Sequence, residues 1–80
     1  INIDNKNKYT VFPNPANDFL TIHGKNITSI KIFNIYGNIV LSKILNDIKK
    51  VNISELNSGI YFVELEGSNG FKSNKKVIIN

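Results

Sequence analysis

The chain has no cysteine, tryptophan, methionine or arginine, and only one histidine and two prolines among its 80 residues. Without cysteine, neither a disulfide nor a thiolate metal site can supplement the core, and the redox compartment is left undetermined. A single histidine rules out a histidine cluster. Asp4, Asp18 and Asp47 stand isolated in sequence, so no Asp-x-Asp-x-Asp cation loop is encoded. The net charge of +4 rests on ten lysines scattered from Lys6 to Lys76. A nucleic-acid reader would show arginine forks or clustered basic residues interleaved with aromatics, so this charge does not point to nucleic acid. Asparagine, isoleucine and lysine make up nearly half the chain. An AT-rich genome explains that bias, and the missing arginine, as readily as any physical demand.

Other absences bound the size and setting. No apolar run approaches the ~20 residues that span a bilayer as a helix, and Ile1 to Thr10 is polar, with no apolar core of a signal peptide. Eighty residues suffice for one domain, which buries roughly 60 to 65% of its unfolded surface and leaves no room for a deep cleft. Beginning on Ile1 rather than Met, the chain reads as the tail of a larger secreted protein whose signal peptide lies elsewhere.

Two regions are expected. Ile1 to Lys8 alternates Asn, Asp and Lys with two isoleucines and cannot bury much apolar surface, so residues 1–10 read as a flexible linker from an upstream domain. From Val11 to Asn80, short runs of β-branched and aromatic residues are broken by Gly, Asn, Ser or Pro every eight to twelve residues. That spacing predicts an all-β fold: a small antiparallel β-sandwich of six or seven strands, Ig-like.

Alternation assigns the faces. Leu20 and Ile22 point inward, with Phe19, Thr21 and His23 outward. Ile30 and Ile32 repeat the pattern, as do Tyr61, Val63 and Leu65 against Phe62, Glu64 and Glu66. The run from Ile39 to Ile44 is apolar on both sides and is expected to be central or partly covered. Asn34 and Gly37 occupy the first and fourth positions of a type I turn, which makes a hairpin of the strands around Ile32 and Val40. Gly67 to Gly70 joins the Tyr61 strand to the last one. Ser54 to Gly59 reads as a compact turn, with Ser54 capping one helical turn that ends at Gly59. Pro13 and Pro15 flank Asn14 and must end or bend an edge strand.

No catalytic, cofactor-binding or metal residues are assigned. His23 lies on an outward strand face with no marked partner serine or orienting carboxylate. Glu64 and Glu66 have Cβ atoms about 7 Å apart on one face, a separation open to a carboxylate pair, but acid/base work needs a cleft that raises one pKa. Two sequons, Asn26-Ile27-Thr28 and Asn52-Ile53-Ser54, are chance matches in an Asn-rich chain.

Five islands occur in a set order: Pro13-Asn14-Pro15 followed by Leu20 and Ile22, then Asn34-Ile35-Tyr36-Gly37, Leu56-Asn57-Ser58-Gly59-Ile60-Tyr61, and a final Lys75-Lys76-Val77-Ile78-Ile79. From about Val11 to Asn80 this order resembles the C-terminal sorting domain of the type IX secretion system, type A. The resemblance implies an address label rather than an enzyme. It marks Pro13, Asn14, Pro15, Asn34, Gly37, Gly59, Tyr61, Lys75 and Lys76 as sorting-motif residues. The implied partners are the outer-membrane secretion and sortase-like machinery and a covalently linked N-terminal cargo domain, with no cofactor, nucleic acid or small-molecule substrate. It also implies periplasmic transit, cleavage in the linker before the domain, and release or surface attachment of the cargo. The family often ends in a basic residue, whereas here the last residue is Asn80. The competing class is a non-catalytic carbohydrate-binding or adhesion module, for which only Tyr9 and the phenylalanines remain as platforms once Tyr36 is placed in a turn and Tyr61 inward. A structural spacer is the third.

Overall fold

Seven strands follow one another in a computed structural model that describes residues 9–45 and 49–80. They are β1 (Thr10–Phe12), β2 (Phe19–His23), β3 (Ile27–Phe33), β4 (Ile39–Ile44), β5 (Lys50–Asn52), β6 (Gly59–Gly67) and β7 (Lys72–Ile79). All strand pairs are antiparallel, in a three-stranded sheet ordered β1-β2-β5 and a four-stranded sheet ordered β4-β3-β6-β7. Among the described residues no helix forms. This is the immunoglobulin-like arrangement with one exchange. The fourth strand pairs with the third rather than the fifth, because a turn of only a few residues ties β4 to β3.

That turn closes as its residues dictate. The Gly37 amide donates to the Asn34 carbonyl at 3.0 Å, while Asn34 Oδ1 accepts the Tyr36 and Asn38 amides at 2.9 and 3.0 Å. The side chain thus satisfies donors that a tight reversal leaves without backbone partners. The 67–70 turn repeats the device, with Gly70 N donating to Gly67 O and Asn69 Oδ1 accepting the Phe71 amide.

Period-two alternation places the core. Leu20 and Ile22 of β2, Ile30 and Ile32 of β3, and Tyr61, Val63 and Leu65 of β6 are all buried, and Val51, Val77 and Ile79 complete the two inner faces. On the outer face of the larger sheet, Lys31 stands opposite Glu64 and Lys72 opposite Glu66. Opposite charges facing across strands hold the two half-buried glutamates in a lysine-flanked surface rather than in a cleft. His23 is exposed, as its alternation required.

Packing starts at Tyr9, two residues ahead of Val11. Its ring is 2% exposed and meets Phe71 edge-on at 5.7 Å, so it is a core residue and not a ligand platform. The connector residues 1–8 lie outside the described residues.

Two further expectations are corrected. β4 is not central: it forms one edge of the four-stranded sheet, covered only where Leu41 packs half-buried against the core, with Ile39, Val40 and Ile44 exposed. Apolar residues on both sides of a strand look the same in sequence whether a neighbour covers them or not. Nor does Ser54 cap a helical turn. Asn52 Oδ1 accepts both the Ser54 amide at 2.8 Å and the Ser54 hydroxyl at 2.6 Å, and the chain reverses in a single turn closed by Leu56 N on Ile53 O. Asn52 therefore supplies the acceptor expected of Ser54.

Gly37 sits at φ +85° with open space around it, so Gly37→Val should destabilise through backbone strain alone, by about 1–3 kcal/mol in urea or thermal unfolding. Gly67 is constrained differently: a Cβ there falls on the Tyr9 hydroxyl. Gly67→Ala should also cost about 1–3 kcal/mol, partly recovered in a Tyr9→Phe background, whereas Tyr9→Phe should leave the Gly37→Val penalty unchanged.

Candidate recognition site at one pole of the sandwich

The Pro-Asn-Pro island solves a problem created by β7. One side of β7 is paired with β6, and the other would present bare backbone groups. Asn14 covers them with its side chain. Its Nδ2 donates to the Lys76 carbonyl at 3.0 Å, and its Oδ1 accepts the Ile78 amide at 2.9 Å. A side-chain amide thus presents the donor and acceptor that a neighbouring strand would offer. Two residues on, the backbone takes over: Ala16 N donates to Ile78 O and Ala16 O accepts Asn80 N, both at 2.8 Å, in a short parallel bridge. The prolines on either side have no amide hydrogen of their own to contribute, and both X-Pro peptides are cis. β1 ends immediately before them, at the edge of the smaller sheet.

Tyr61, in the fourth island, has a structural task. It lies near the start of β6, where the chain crosses from the smaller sheet, and its hydroxyl donates to the Asn57 carbonyl at 2.7 Å. An inward tyrosine bonding back to the backbone a few residues upstream is the tyrosine corner of immunoglobulin-like sandwiches. Gly59 begins the same strand at φ +153° and stands opposite Ile79.

These placements bring the islands together. Phe33, just before the Asn34–Gly37 turn, faces Phe62, which faces Lys76; Ile60 faces Ile78, Gly59 faces Ile79, and Ala16 bridges Ile79. Four of the five islands therefore converge in full at one end of the sandwich, joined there by the Leu20–Ile22 strand through the shared core. The chain enters at the other end, where Tyr9 packs against Phe71 beside Gly24 and Gly67. The nine residues of β6 run from one pole to the other, roughly 26 Å.

Lys75 and Lys76 point to opposite faces, as alternation required. Lys75 lies half-buried on the inner side, whereas Lys76 is exposed in an outer-face row with Phe62. Around Lys76 the pole displays Ile60, Phe62 and Ile78, each more than 40% exposed, and the turn adds Ile35 and Tyr36, exposed by 62% and 81%. Exposed apolar side chains gathered at one end, as Ile60, Phe62 and Ile78 are, mark an interaction surface more often than a solvated face. Sequence reasoning singled out the lysines but missed the apolar ring. Its signal was the outward set of β6, Ile60 and Phe62, together with Ile78. Among the described residues there is no cluster of three or more metal-binding side chains.

Fold and placements together define the class: a small immunoglobulin-like sandwich whose motif residues gather at the pole opposite Tyr9. The comparisons fit that class. Residues 10–80 match the family of secretion system C-terminal sorting domains, and the chain belongs to that family. It is similar to a beta-agarase D of Zobellia galactanivorans, 32% identical over 91% of this chain and 15% of that protein. It is also similar to an endo-acting ulvan lyase of Formosa agariphila, 34% identical over 86% of this chain and 14% of that protein. The chain thus spans about a seventh of each relative. The family is one of sorting signals, and the activities named for these relatives are said of far longer chains.

Removing the Asn14 amide should expose the edge of β7. Asn14→Ala is expected to destabilise by about 1–2 kcal/mol, for two solvent-facing hydrogen bonds, and to speed hydrogen exchange at the Ile78 amide well before that at amides bonded between β6 and β7. Tyr61→Phe should cost about 0.5–1.5 kcal/mol by leaving the Asn57 carbonyl without its donor, with no change in the exchange of Ile78.

Proposed function

We propose that this domain is the address by which an upstream cargo is carried through the type IX machinery of the bacterial outer membrane. The cargo reaches the periplasm by its own signal peptide, and the machinery engages the folded sandwich. A sortase-like peptidase then cuts in the connector that precedes Tyr9, and the cargo is released or attached at the surface.

The observation that carries this reading is the polarity of the molecule. Cargo joins at the Tyr9 pole, and the motif residues with the exposed patch sit at the far one, so a receptor can approach without meeting what the domain carries. A rigid sandwich offers that surface without the loss of conformational entropy that an unfolded tail would suffer on binding. Within the motif, Asn14, Asn34, Gly37, Gly59 and Tyr61 act by holding the pole in shape. Lys76, with Ile35, Tyr36, Phe62 and Ile78, forms the surface that is touched, and it suits a receptor that is apolar with an acidic group facing Lys76.

Fused behind a signal peptide and a fluorescent protein, the chain should move that protein outside a bacterium that carries the machinery, while a secretion-deficient host retains it. Retention of an intact, folded fusion in a competent host counts against the reading. Within a functional fusion, Lys76→Glu with Tyr36→Ala should slow export at least several-fold with the melting temperature nearly unchanged, because losses of exposed side chains stay within about 0.5 kcal/mol. Normal export of that folded variant would place the recognition surface elsewhere.

A further inference from the structure

The sandwich is closed on one side and open on the other. Asn14 and Ala16 bridge toward β7 on the closed side, whereas β4 on the open side has no neighbour beyond β3 among the described residues. A groove of about 260 Å³ runs beside β4, lined by Val40, Leu41, Ile53, Glu55 and Leu56 among others. Natural edge strands are commonly short, bulged or charged. β4 has six residues, four of them apolar, and its single charge is Lys43.

We propose that this edge pairs with β4 of a second copy of the chain, joining two four-stranded sheets into one. The register follows from the backbone. Ile30 and Ile32 of β3 face Lys43 and Leu41, and the Leu45 amide bonds to Thr28, so the odd residues of β4 direct their amides to β3 and the even ones direct theirs outward. An antiparallel self-pairing must then match even with even. Centred on Ser42, it sets Ser42 against Ser42, Val40 against Ile44, and Leu41 against Lys43.

Each match is favourable. The apolar residues exposed on β4 cover one another, two serines can exchange hydrogen bonds, and no lysine faces a lysine. Lys43 of one copy arrives beside Leu41 of the other, at the mouth of the groove lined by Glu55, which supplies the opposite charge. The entry strand β1 lies on the other side of the molecule, near β7, about 14 Å of sheet width away, so an upstream domain on either copy leaves the pairing free. The interface is small, and the association it supports is weak.

Sedimentation analysis of the chain should show a monomer–dimer equilibrium between roughly 10 µM and 1 mM, and two substitutions should abolish it. Ser42→Pro removes an amide that points away from β3, so it blocks strand addition while sparing the bonds within the sheet. Ile44→Lys puts a charge where Val40 of the other copy would pack, and it carries the test should the proline variant not fold. In this cysteine-free chain, Ser42→Cys should oxidise to a disulfide dimer, since paired Cα atoms stand about 5.5 Å apart, much faster than Ile35→Cys, which is also exposed. A chain that stays monomeric at about 1 mM, a dimer that survives both substitutions, or equal crosslinking at positions 35 and 42 would each overturn the proposal.

Discussion

Every strand in a sheet has two sides that need hydrogen-bond partners, and the way the last strand meets this requirement shapes the rest of the molecule. β7 takes β6 on one side. On the other it takes the amide of Asn14, some sixty residues earlier in the chain, and then the backbone of Ala16. Because β1 leads directly into that segment, these bonds tie the smaller sheet to the larger along one flank and align Ala16 with the core beneath Ile79. The two prolines restrict the backbone on either side of Asn14, so the amide is presented with less conformational freedom to lose. The Pro-Asn-Pro segment is therefore first a structural clasp, and the shape of the pole depends on it.

The same reasoning separates the motif residues by their work. Asn34 Oδ1 bonds two amides within its turn, Gly37 takes a backbone conformation disfavoured for other residues, and Tyr61 ties the crossing between sheets to Asn57. These contacts are internal and leave little for a partner to read. Lys75 turns inward. What remains exposed at the pole among the described residues is the side chain of Lys76 and the apolar residues around it.

Much of the fold was legible in sequence because period-two alternation is a local signal and the inner positions obeyed it. Leu20, Ile22, Ile30, Ile32, Tyr61, Val63 and Leu65 all lie where alternation sets them. The turns were legible for the same reason, since Asn34 and Asn69 act within two to four residues of themselves. Long-range pairings were not. Nothing near Asn14 announces that its amide will meet Lys76 and Ile78, and nothing near Tyr61 distinguishes a buried ring from one whose hydroxyl closes a corner. β4 was misread because alternation reports which faces are apolar and says nothing of what covers them. At Ser54 two adjacent side chains each offered an oxygen, and the turn used that of Asn52.

A sandwich of this size gains little from a deep core, so its specificity depends on edges. The flank at β7 is closed by a device that consumes its hydrogen-bonding groups, and with them its capacity to add a strand. The flank at β4 keeps its outward amides and its exposed isoleucines. If closure served only to prevent aggregation, both flanks would need it equally, and β4, the more apolar of the two edges, would need it more. The asymmetry fits a different constraint. At β7 the chain must present one fixed pole, which a sliding or added strand would disrupt, whereas at β4 an added strand leaves both that pole and the point of entry untouched. The closed edge therefore sets the shape of the pole where the motif residues gather, and the open edge is where the molecule retains backbone groups free to pair.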